Sequence, residues 1–128
     1  MLVLDTSGSM AGAPVAELNA GLQSFIEAVR EDEIASYAID LGVITAGDAV
    51  NEVLPFTSAS AIDQCDALEA YGPTPLGQAV QLALERLEQR KSQYKANGVA
   101  YYQPWLVIIS DGSPTDTWQA AAAQSRAL

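Results

Sequence analysis

Histidine is absent from this 128-residue chain, and cysteine occurs once, at Cys65. Without histidine there is no Ser-His-Asp triad, no Cys-His pair and no histidine-ligated zinc. A lone cysteine closes no disulfide within the chain, and its neighbours form no Cys-x-x-Cys pair, which favours a reducing compartment. Cations are scarce as well: six Lys and Arg face sixteen Asp and Glu, a net charge of -10. So acidic a surface repels phosphate backbones and argues against nucleic acid as a partner. No run reaches the ~18 apolar residues of a membrane span. The opening Met1-Leu2-Val3-Leu4-Asp5 lacks the charged start and long apolar core of a signal peptide. Together these absences predict a soluble, cytoplasmic domain that engages neither nucleic acid nor a membrane.

What is present is a core. Hydrophobic residues make up 49% of the chain, and the length suits one domain over residues 1–128. Leu2-Val3-Leu4 is a short apolar run that ends in Asp5, and Ser7 and Ser9 follow with Gly8 between them. The pattern is a buried strand running into a tight turn, with its carboxylate where open α/β sheets place ligands. Short oxygen-bearing side chains on one turn suit a hard divalent cation, magnesium first, with manganese or calcium as alternatives. An ordinary helix cap uses the same residue types, so the turn gains meaning only if further oxygens arrive at the same end of the sheet.

The periodicity then switches between helix and strand. Val15, Leu18, Leu22, Phe25, Ile26 and Val29 make one apolar stripe behind Pro14, a residue suited to a first helical turn. Arg30-Glu31-Asp32-Glu33 is a solvated run that ends this helix. From Ile34, alternation of Tyr37, Ile39, Leu41 and Val43 with smaller or polar residues predicts a strand. A turn at Ala46-Gly47-Asp48 leads to a second strand over Val50–Phe56, wetter at Asn51 and Glu52, which makes an antiparallel hairpin with an edge position. Ser60 and Asp63 resemble a capping box before a short helix carrying Ile62, Cys65 and Leu68, where Cys65 serves as a small buried hydrophobe.

Gly72-Pro73-Thr74-Pro75 is a loop into a long helix, with Pro75 at its first position and Thr74 as its N-cap. Leu76, Val80, Ala83, Leu84 and Leu87 share the buried side of that helix. The polar segment from Gln93 to Tyr102 is expected to loop over the surface. Trp105-Leu106-Val107-Ile108-Ile109-Ser110-Asp111 is the most apolar run, and its continuity predicts a strand buried on both faces at the centre of a parallel sheet. A last helix is expected from near Thr117. The order β-α-β-β-α-α-β-α predicts an α/β fold: a doubly wound, mostly parallel sheet with helices on both faces.

Both apolar strands end in aspartate, and parallel strands share one carboxyl edge. Helix starts follow that edge too, so Asp5, Ser7, Ser9, Thr74 and Asp111 are expected to converge. Asp5-Thr6-Ser7-Gly8-Ser9, the threonine of Gly72-Pro73-Thr74-Pro75-Leu76, and Asp111 of Ile108-Ile109-Ser110-Asp111-Gly112 resemble the three parts of the metal-ion-dependent adhesion site of von Willebrand factor A (VWA) domains. The resemblance implies a Rossmann-like VWA fold and a non-enzymatic, metal-dependent protein-binding module. In such a module Asp5, Ser7 and Ser9 anchor Mg2+, Thr74 is a movable ligand and Asp111 is the second carboxylate. A protein partner then completes the coordination with its own Asp or Glu. The Asp111–Asp116 segment looks most like bacterial intracellular VWA proteins, including those associated with tellurite resistance.

Members of the family usually continue with two further strands, so the resemblance implies a fold truncated at the C-terminus. A sheet whose edge is its most apolar strand is prone to pair with another chain, so either a homo-oligomeric contact through that edge or marginal stability is expected. The alternative from another class is a metal-dependent phosphatase of the haloacid dehalogenase type, which also places aspartates at strand ends. That chemistry needs an acid-base aspartate two positions after the nucleophile, and Ser7 stands there. Gly8-x-x-x-Gly12 is not the GxGxxG of a dinucleotide site.

Overall fold

A computed structural model describes residues 1–47, 49–62, 68–70, 72, 75–101 and 104–110. Among these residues four strands form a single sheet in the order β3-β2-β1-β4: β1 Leu2–Asp5, β2 Asp40–Ala46, β3 Val50–Ser58 and β4 Val107–Ile109. β1 runs parallel to β2, with Leu2 opposite Val43 and Asp5 opposite Ala46. It also runs parallel to β4, with Leu2 opposite Val107 and Leu4 opposite Ile109. β3 returns antiparallel along β2 as the edge strand of the predicted hairpin.

The apolar residues of β1 alternate between two cores, as the pleat requires. Val3, Ile44 and Ala46 pack on one face against Ala79, Val80, Ala83, Leu84 and Leu87 of the long helix α3, Leu76–Ala96. Leu4, Leu41 and Val43 pack on the other face against Leu22 and Ile26 of α1, Ala13–Glu31. Helices therefore cover both faces of a mixed sheet, and the predicted fold class holds.

Several elements differ from the sequence-based expectation. Residues 35–38 form a short helix, α2 (Ala35–Ala38), rather than the start of β2. The Asp32 carboxylate accepts from the N–H groups of Ile34 and Ala35 at 2.9 and 2.8 Å, capping that turn. Tyr37 is consequently 80% exposed instead of facing a core. β2 is buried along both faces from Leu41 to Ala46 rather than alternating. Gly42 permits this, since a Cβ there would lie 2.9 Å from the Met1 Cε that covers it.

The long helix starts at Leu76, with Pro75 in the N-cap place that Thr74 was expected to fill. It also continues to Ala96 instead of giving way near Gln93. Gly98, at φ +66°, donates to Lys95 O while Val99 donates to Tyr94 O. That pair of bonds is a Schellman stop, and Asn97-Gly98 is its sequence signature.

β4 is the largest departure. Among the described residues it lies at the edge of the sheet beside β1, and Val107, Ile108 and Ile109 are 37%, 44% and 43% exposed. Among the described residues its continuous apolar character is thus not matched by burial on both faces. Ile62 and Leu68 are buried under α1 as expected, but neither is helical: Ser60 lies within a 3-10 turn, Ala59–Ala61, and Ile62 leaves it in extended backbone. The rest of the short helix they were assigned to, Cys65 included, lies outside the described residues, as does the helix expected from Thr117.

Candidate functional site

The order β3-β2-β1-β4 makes the chain build outward from β1 on one side and then return to β1's other side. The crevice at such a reversal, outside the carboxyl ends of the strands, is where open α/β sheets bind ligands. Asp5 ends β1 at that point and is fully buried. Its Oδ1 accepts from the Ser7 N–H at 2.9 Å, and its Oδ2 accepts from the Ser110 hydroxyl at 2.7 Å. The carboxylate is thus held by its own turn and by the residue that follows β4.

Beyond Asp5 the chain rises to the surface. Gly8–Met10 is a single 3-10 turn, with Met10 N–H bonded to Ser7 O. Met10 is buried beneath this turn and Ser9 is exposed on it. The Ser7 and Ser9 hydroxyls lie 3.0 Å apart. The pair therefore links the buried end of the turn, at Ser7, to its exposed surface, at Ser9.

Two neighbouring segments fix the turn in place. Thr6 N–H donates to Ala46 O at 2.9 Å, tying it to the end of β2. Gly47 makes the approach possible, because a Cβ there would sit 2.6 Å from Thr6 Oγ1 and 2.8 Å from Thr6 O. Gly8 N–H donates to Gly72 O at 2.9 Å, which brings in the loop before α3.

Of the five residues expected to converge, Asp5, Ser7 and Ser9 are together. Thr74 and Asp111 lie outside the described residues. Their sequence neighbours Gly72 and Ser110 both hydrogen-bond to the Asp5 turn. Ser110 is the residue missed from sequence; the register that sets Leu4 opposite Ile109 is what delivers the next position to Asp5. Among the described residues no three His, Cys, Asp or Glu side chains group as metal ligands. The donors gathered here are instead one carboxylate and three hydroxyls, all hard oxygens. Such a set fits magnesium or calcium in kind and suits neither zinc nor copper.

The fold agrees with comparison to known proteins. The chain is similar to the vWF domain of the type V pili tip protein Mfa5 from Porphyromonas gingivalis, at 16% identity and a TM-score of 0.66, over 88% of this chain and 37% of that one. A structure of three N-terminal domains of the same pilus protein aligns at 18% identity and a TM-score of 0.52, over 69% of this chain and 16% of that one. The chain therefore spans much less than two thirds of either, and at these identities the likeness concerns the fold alone. Comparison with curated proteins returns no match. A family model described as the von Willebrand factor type A domain matches residues 1–113, and the chain belongs to that family.

Proposed function

We propose that this VWA domain is a metal-dependent protein-binding module, engaging a carboxylate of its partner through a divalent cation. VWA domains are commonly protein-interaction modules; the metal and the carboxylate are the further step. The observation that carries it is a buried, doubly hydrogen-bonded Asp5 followed by a buried Ser7 and an exposed Ser9 whose hydroxyls lie 3.0 Å apart. Asp5, Ser7 and Ser9 anchor the ion, Thr74 adds a hydroxyl from the loop before α3, and Asp111 adds a second carboxylate after β4. Magnesium is the first choice, with manganese or calcium next. A bound cation would supply a positive centre only partly neutralised by two carboxylates, hence its appetite for a third from outside.

We read the module as a binder; the serine two residues beyond Asp5 speaks against the phosphatase alternative, which needs an acid-base aspartate at that position. The Asp111-Gly112-Ser113-Pro114-Thr115-Asp116 motif supports assignment to the bacterial, cytoplasmic type associated with tellurite resistance. A homo-oligomeric contact along β4 belongs to the same proposal and rests on the exposed Val107–Ile109 strand.

Calorimetry with magnesium chloride tests the site. One saturable binding event is expected in the unaltered chain. In Ser9→Ala, whose side chain is exposed and dispensable to the core, affinity should fall at least roughly tenfold, the order expected for losing one oxygen ligand. Equal magnesium affinity in the two proteins, or none in either, overturns the assignment.

A further inference from the structure

We propose a second binding site, for a small aromatic anion, in a cavity at the end of the sheet opposite Asp5. The cavity has a volume of about 590 Å3 and lies where β1 and β2 begin, lined by Met1, Asp40 and the second half of α3. That volume falls in the range of small-molecule pockets, which pair apolar walls with a few placed polar groups. Tyr37, Phe56, Tyr94, Tyr101 and Trp105 line it, five of the chain's nine Phe, Tyr and Trp. Tyr37 and Trp105 stand 80% and 79% exposed at its mouth, whereas Tyr94 and Tyr101 pack together with ring centres 5.3 Å apart. Flat apolar walls of this kind select a flat apolar body.

Charge supplies the second criterion. Four of the six cations, Arg86, Arg90, Lys91 and Lys95, fall on the second half of α3 in a chain of net charge -10. Arg90 and Lys91 line the cavity against one carboxylate, Asp40. Arg90 is committed to that carboxylate, donating from Nε and Nη2 at 3.1 and 2.9 Å, and Tyr94 donates to the same oxygen. Asp40 is thereby balanced, and the wall it belongs to is stiff. Among the described residues Lys91 pairs with Glu88, i,i+3, at 3.2 Å, and that Glu88 is itself 60% exposed. Surface pairs of this kind are weak and readily exchanged. The cavity thus offers aromatic walls and one exchangeable ammonium, the complement of an aromatic ring bearing a carboxylate or sulfonate.

Two dyes of nearly the same shape test this: anilinonaphthalene sulfonate and its uncharged counterpart phenylnaphthylamine, titrated by fluorescence into the folded chain. Saturable binding of the sulfonate to one site is expected, tighter than that of the neutral dye. Lys91→Glu should weaken the sulfonate roughly tenfold and leave the neutral dye unchanged, as removal and reversal of one surface charge implies. Val99→Trp, at a half-exposed position of the wall, should fill the space and weaken both. Circular dichroism of each variant shows that the fold is retained, and neither chelator nor Ser9→Ala should alter either dye, since the cation site lies at the other end. Indifference of sulfonate binding to both Lys91→Glu and Val99→Trp overturns the proposal, as does equal affinity for the two dyes.

Discussion

Both oxygens of the Asp5 carboxylate accept hydrogen bonds inside a fully buried site, from Ser7 N–H and from the Ser110 hydroxyl. Removing such an acceptor leaves buried donors behind, at about 1–3 kcal/mol. Asp5→Ala should therefore lower unfolding stability by about 2 kcal/mol in a urea titration. Asp5→Asn keeps an acceptor toward Ser7 and an amide that can donate to Ser110, so it should cost under about 1 kcal/mol. If the proposed site is right, both variants lose magnesium binding alike. An Asp5→Asn chain that retained magnesium would show that the carboxylate is only a structural brace. This much of the site was legible because Asp5, Ser7 and Ser9 are neighbours in sequence and share one turn. Ser110 was not, since its contact with Asp5 spans 105 positions and depends on the register of β4 against β1.

Helices and strands were legible where one face is buried and capping is local. The stripe from Val15 to Val29 and the Leu76–Leu87 stripe became α1 and α3, on opposite faces of the sheet. One element was misread because a local cap competes with the strand period, and another because its partner is distant in sequence. Tyr37 matched a strand period, yet Asp32 captures the preceding N–H groups and turns residues 35–38 into α2. Gln93 to Ala96 looked like loop, yet Tyr94 is tied to Asp40 and Arg90 and carries the helix one turn further. Burial, and then the hydrogen bond to Asp40, hold the Tyr94 hydroxyl above its usual pKa of 10.0. The folded chain keeps that proton where the unfolded chain has lost it. Stability from this tie is complete below pH ~10 and declines as pH rises through the folded-state pKa. Tyr94→Phe removes the titrating group, so its stability curve should be flatter than that of the unaltered chain above pH ~10, measured by urea unfolding at stepped pH. Parallel curves for the two proteins would detach Tyr94 from the alkaline loss.

At the scale of the whole molecule, charge and exposed apolar surface oppose each other. A net charge of -10 keeps copies apart, yet residues 99–110 contain no charged side chain, and within them Val107, Ile108 and Ile109 form the exposed β4. Natural edge strands are usually guarded by lysine, proline or a bulge, and β4 has none of these among its three residues. Salt screens the repulsion between copies while leaving apolar pairing intact. Self-association should therefore grow with ionic strength, the reverse of a contact held by ion pairs. Ile108 sits at the middle of β4, opposite Val3 in the register, and Ile108→Lys would give this strand the lysine with which natural edge strands resist pairing. In sedimentation velocity runs at rising sodium chloride, the unaltered chain should shift toward dimer while Ile108→Lys stays monomeric with the same circular dichroism spectrum. A chain that remains monomeric at high protein and high salt would leave β4 an open edge without a self-pairing role, and would remove the homo-oligomer from the proposed function without touching the cation site.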